Sequence, residues 1–164
     1  MNKREKMSVN LVRVSYSELN SRQKENYNFQ KLSAVLADYG FVTLRLSDDW
    51  QSADFITQHI DGETFLKVQL KGRLTFEQKY LGKEIQIAFQ NNGIWYLFPH
   101  DELLKKVLQE TNVANTESWS VRGGYSFPSL SGKLKVLLDP YKIYPFNSPN
   151  EVLDSNNHKD IEHS

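Results

Sequence analysis

The chain has 164 residues, with 20 Lys and Arg against 20 Asp and Glu, so its formal net charge is zero; 39% of it is hydrophobic and 24% charged. That length suits one domain with a real core. The absence of cysteine excludes a disulfide framework and any thiolate zinc site, and no apolar run reaches the length of a membrane span. Met1 to Lys6 is charged with no apolar stretch behind it, so no signal peptide and no membrane partner are expected, and a cytoplasmic location is.

Residues 1–17 read as an N-terminal arm. Glu18 to Tyr39 predicts a helix, with Asn20 or Ser21 as N-cap and Phe29, Leu32, Leu36 and Tyr39 along one face. Gly40 fits its C-terminal stop, and Phe41 to Leu46 follows as a β-rich run. Ser47 to Ser52 reads as a polar loop leading to a strand over Ala53 to Ile56. Asp61-Gly62 marks a turn before a further strand, Thr64 to Lys71. After a linking stretch come strands over Glu84 to Phe89 and Ile94 to Phe98, separated by the turn Asn91-Asn92-Gly93. Pro99 to Glu102 opens a helix with Leu103, Leu104, Val107 and Leu108 as its apolar positions. A shorter helix is expected over Pro128 to Leu138. Apolar periodicity ends near Tyr144, so 18–144 is the expected domain and 145–164 a polar, disordered tail. This order predicts an α/β (α+β) domain around one central sheet.

Neutral overall charge hides an uneven distribution. Between Lys67 and Lys83 five bases (Lys67, Lys71, Arg73, Lys79, Lys83) face one acid, Glu77, whereas the stretch from Glu151 holds four acids and one base. A local basic stripe suits phosphate binding, although such a stripe taken alone is more often solvated surface.

The chemistry concentrates on two neighbouring strands. Alternation along Thr64 to Lys71 turns Val68 and Leu70 to the core and brings Gln69 and Lys71 out side by side. Asp54 stands on the preceding strand, so a carboxylate, an amide oxygen and an ammonium can meet at one point. Each residue alone reads as ordinary strand surface; the combination does not. The αβββ layout, with Ala53-Asp54 on one strand and Gln69-Leu70-Lys71 on the next, resembles the PD-(D/E)xK nuclease superfamily, which includes restriction enzymes and archaeal Holliday junction resolvases. The resemblance spans roughly Glu18 to Pro99. It implies a restriction endonuclease-like fold with a central mixed β-sheet flanked by helices, and metal-dependent endonuclease activity on DNA.

Hydrolysis of a phosphodiester calls for a cation that neutralises the phosphate and lowers the pKa of an attacking water. Magnesium needs only one or two protein oxygens, and manganese is the other candidate. On this reading Asp54 is the anionic ligand, Gln69 offers its amide oxygen or orients a bound water, the Leu70 carbonyl is a candidate third ligand, and Lys71 stabilises charge on the phosphate or helps position the attacking hydroxide. Lys67, Arg73, Lys79 and Lys83 would contact backbone phosphates. Two departures stand out. Gln69 occupies the place of the usual second carboxylate, and Ala53 replaces the first residue of the motif. The related resolvases also draw a glutamate from the first helix. Glu25 is the candidate here, and it reaches the site only if the helix is placed differently from theirs. A homodimer is implied if both strands of a duplex are cut. The alternative is a catalytically inactive nucleic-acid-binding or interaction module on the same fold.

Other features carry less. His59, His100, His158 and His163 lack metal-ligand spacing, and His100 reads as an exposed or capping residue at a helix start. Gly123-Gly124 reads as a flexible turn. Trp95 belongs to the core by alternation, while Trp50 and Trp119 stand in expected loops, open to base stacking.

Overall fold

The computed structural model describes residues 11–50 and 52–146. Most of the expected tail and the first ten residues of the arm lie outside the described residues, as does the side chain of Trp50. The architecture is mixed α/β: a central six-stranded sheet flanked by helices, as the element order predicts.

Tyr16 to Glu18 form a short 3-10 turn, and the first helix, α1 (Ser21–Asp38), starts only after it. Asn20 sets that start: its side chain accepts the Gln23 N–H at 2.9 Å while the Gln23 side chain accepts the Asn20 N–H, a reciprocal cap that satisfies two otherwise orphaned donors. Glu18 therefore belongs to the 3-10 turn and not to α1. Tyr39 also departs from its expected place on the buried face. It caps the helix, 42% exposed, and its hydroxyl accepts the Tyr144 N–H. Gly40 follows at φ +80, a conformation glycine adopts freely.

Strands β1 (Phe41–Trp50), β2 (Ala53–His59) and β3 (Phe65–Lys71) form an antiparallel meander. The expected loop at Ser47 to Ser52 is instead mostly strand. β1 continues to Trp50, which pairs with Ala53, and the register shifts between Arg45 and Trp50. A bulge absorbs the polar residues without ending the strand. The connection after β3 contains β4 (Thr75–Glu77) and a 3-10 turn. It returns the chain to β5 (Ile85–Asn91), which lies parallel to β3, with Gln69 beside Ile87 and Lys71 beside Phe89. β6 (Ile94–Pro99) pairs antiparallel with β5 across a tight turn in which Asn92 and Gly93 both have positive φ, the geometry that matches strand twist.

Helix α2 (His100–Glu110) follows directly. Then come α3 (Glu117–Ser120) and β7 (Gly124–Ser126), which pairs with β4 in a separate two-stranded sheet. Helix α4 (Gly132–Leu138) begins at the Ser131 cap rather than at Pro128, and β8 (Lys142–Ile143) completes the large sheet in the order β1-β2-β3-β5-β6-β8.

Side-chain alternation on β5 and β6 divides the interior in two. Ala88 and Trp95 join Leu32, Val35 and Leu36 of α1, together with Phe55 and Val68, on one face. Ile87, Phe89, Tyr96 and Phe98 meet Leu103, Leu104 and Val107 of α2 and Leu134 and Leu138 of α4 on the other. Trp119, expected in a loop, is buried in this second core.

Candidate functional site

Asp54 occupies an irregular place. In a regular strand Ala53 and Phe55 would share a face, yet Ala53 packs in the α2-side core and Phe55 in the α1-side core. The pleat turns over at Asp54. Pairing between β2 and β3 runs from Gln58 with Phe65 to Phe55 with Val68. At the next step the Asp54 carboxylate takes the place of a backbone acceptor: Oδ2 accepts the Leu70 N–H at 2.8 Å. The Gln69 side chain and the Lys71 charge also act on this carboxylate. Burial pushes the Asp54 carboxyl above its ordinary value. The Leu70 N–H, Lys71 and Gln69 oppose that shift, and the nearby charge of Glu25 adds to it.

Glu25 thus acts on Asp54 from the second turn of α1. Glu25 and Asp54 line one cavity of about 850 Å³, together with Arg22, Arg45 and Ser47. Arg45 crosses the cavity wall, pairing with Glu25, donating to the Asn26 side chain and lying over the Phe29 ring at 5.2 Å. Helix α1 thus brings Glu25 to the cavity that Asp54 lines, where Arg45 engages it.

Lys71 is held from the other side. Its Nζ lies 3.5 Å from Glu77 Oε1 and 5.1 Å from the centre of the Tyr80 ring. Glu77 is the single acid of the basic stripe, and charge counting gave no reason to select it. Burial works to raise its carboxyl, but its contacts with Lys79 and Tyr80 and the charges of Lys71 and Lys79 outweigh burial and hold it below the ordinary value. The Glu77 N–H donates to Nε2 of His100 at 3.3 Å, and His100 Nδ1 lies 2.7 Å from Asp101 Oδ1. With Nε2 accepting, the ring proton belongs on Nδ1. Burial also drives the His100 pKa down, against the pull of Asp101. Expected exposed, His100 is in fact fully buried. It is a neutral link between α2 and the strand that carries Glu77.

The four bases assigned to phosphate contact are spread along this side. Lys67 is half-buried on β3 opposite Ile56, and Arg73 is exposed in the loop after β3. Lys79 lies 3.1 Å from Glu77 Oε2, and Lys83 donates to the Ser52 hydroxyl at 3.2 Å. Gly123 takes φ +76 immediately before β7.

Among the described residues, no three His, Cys, Asp or Glu side chains gather as a metal cluster, and no helix is long and apolar enough to cross a membrane. The arrangement is therefore one half-buried carboxylate with an amide and a backbone edge beside it, an ion-paired lysine on one flank and a second carboxylate on the other. No protein-family model and no curated protein matches the chain. A solved structure with local similarity is that of Hjc from Archaeoglobus fulgidus, a Holliday junction resolvase from an archaeal hyperthermophile. The match covers 45% of this chain and 76% of that one at 17% identity, with a TM-score of 0.37. A likeness of that extent does not decide the fold or the site.

Proposed function

We propose that the chain is a metal-dependent nuclease-like domain that hydrolyses phosphodiesters in DNA, with Asp54, Gln69 and Lys71 as its central residues. The observation that carries this reading is the Asp54 carboxylate, held half-buried at the end of the β2–β3 ladder with Leu70, Gln69 and Lys71 around it and Glu25 across the cavity. A carboxylate that burial pushes toward its neutral form is stabilised as an anion by a bound cation. The donor set suits magnesium or manganese, which take oxygen ligands and retain several waters. Asp54 and the Gln69 amide oxygen would hold the ion. The Leu70 carbonyl, on the same lateral side of β3 as its N–H, would join them. Such an ion lowers the pKa of water and offsets phosphate charge.

Lys71 would place its ammonium against a non-bridging phosphate oxygen. Glu77 limits where that ammonium goes. Lys67 and Arg73 extend positive charge along the strand and the loop beyond, where backbone phosphates would lie, with Lys79 and Lys83 further out.

The catalytically inactive binding module is kept as a second reading by two observations. Gln69 supplies no charge where a carboxylate would, and Glu25 is engaged by Arg45. Manganese titration of the full chain, followed by electron paramagnetic resonance, separates the readings. One site, lost in Asp54→Ala and tightened about tenfold by the added charge in Gln69→Glu, supports the nuclease reading. DNA binding with no manganese uptake at millimolar metal would favour the inactive module.

A further inference from the structure

A second groove lies on the opposite flank of α1 from the Asp54 cavity. It has a volume of about 730 Å³, and its walls include Tyr16, Tyr27 and Lys31, with Trp95, Gln90, Lys71 and Gly72 from the sheet and the loop after β3. Tyr16 and Tyr27 are 43% and 41% exposed, and their ring centres lie 5.3 Å apart at a tilt of 60°. Asn28 Nδ2 donates to the Tyr16 hydroxyl at 2.9 Å, fixing that ring. Lysines flank both rings: Lys24 Nζ lies 5.5 Å from the centre of Tyr16 and Lys31 Nζ lies 5.3 Å from the centre of Tyr27. The acid lining the groove is Asp38, which accepts the Phe146 N–H at 2.9 Å.

We propose that this groove binds an unpaired nucleic-acid strand. A base free of a duplex can displace the ammonium lying over each half-exposed ring and stack there, and the displaced lysines then meet the backbone phosphates. Charge complementarity names a polyanion and the paired tyrosines name its bases; Lys71 lines the groove while its ammonium is held by Glu77. The link to cleavage rests on the nuclease reading; strand binding by the groove does not. If both hold, the substrate is a nucleic acid with an unpaired segment next to the bond that is cut.

Fluorescence anisotropy of the full chain in EDTA, with labelled oligothymidylate, oligouridylate and a hairpin duplex of equal length, tests the groove without cleavage. Binding of either single strand is expected to weaken about tenfold in Tyr27→Ala and in Lys31→Glu, while Tyr27→Phe keeps it and duplex binding changes less than about twofold. The ratio of the two oligomers assigns DNA or RNA. No single-strand binding by the wild type, unchanged binding in Tyr27→Ala and Lys31→Glu, or equal losses on the duplex would overturn the proposal. Metal-dependent cutting of DNA that persists alongside such a result leaves the nuclease reading standing. Strand binding by the groove without any cutting removes that reading and keeps the groove.

Discussion

Asp54 carries a stability cost in the folded chain. Its carboxyl is raised in the folded chain, chiefly by burial, so the folded state holds its proton more tightly than the unfolded state. The stability this contributes is complete below the unfolded carboxylate pKa and is lost as pH rises through the raised folded value. At neutral pH a penalty remains. Asp54→Asn, which keeps an acceptor for the Leu70 N–H, should stabilise the metal-free protein at pH 7 by about 1 kcal/mol, or roughly 3 °C in Tm. Melting curves should converge below about pH 4, and added magnesium should stabilise the wild type alone. Glu77 has the opposite sign. Its depressed carboxyl contributes stability above the unfolded pKa that is lost as pH falls through the folded value. Glu77→Gln should therefore cost about 1 kcal/mol at neutral pH and release Lys71. The expected loss of cleavage rate is about tenfold, partly restored by Glu77→Asp, which keeps the charge.

Among the elements, α1 determines how the two flanking cavities are walled. Arg22 and Glu25 stand in its first turns and Tyr27 and Lys31 just beyond, so its start must be fixed. The Asn20 cap does this. Asn20→Ala should cost about 1 kcal/mol by thermal melting, and it should weaken metal binding more than an equally destabilising change in α4. Much of this was legible in the sequence. Helical spacing, the cap, the Gly40 stop and the alternation of Val68 and Leu70 against Gln69 and Lys71 are local signals, written in neighbouring residues. The run from Ser47 to Trp50 misled because polarity suggests a loop, whereas pairing with β2 extends the strand through a bulge. His100 misled for a related reason: a polar residue after proline suggests exposure, but the Glu77 N–H and Asp101 satisfy both ring nitrogens and permit full burial.

At the scale of the whole molecule, the decisive feature is long-range. The parallel pairing of β3 with β5 sends the chain between them out through β4 and back, and that detour brings Glu77 to Lys71. Nothing local in the sequence announces such a crossover, since parallel strands can be separated by any connection long enough to return. Glu77 was therefore unreadable as a partner, and Glu25 was readable only as a conditional one. The nearness of Asp54 to Gln69 and Lys71 was readable because an antiparallel meander fixes which residues of adjacent strands come together. The basic stripe, by contrast, is partly neutralised within the fold, as Lys71 and Lys79 both pair with Glu77.

Whether Asp54 and Lys71 serve one phosphodiester-cleaving site is tested most directly by incubating the full chain with a panel of labelled duplex, branched and partly single-stranded DNAs in manganese, beside Asp54→Asn and Lys71→Ala. The wild type should cleave at least one substrate, with cleavage abolished by EDTA and reduced at least about a hundredfold in both variants. Cleavage that both variants retain at the wild-type rate, or that survives EDTA, would contradict such a site.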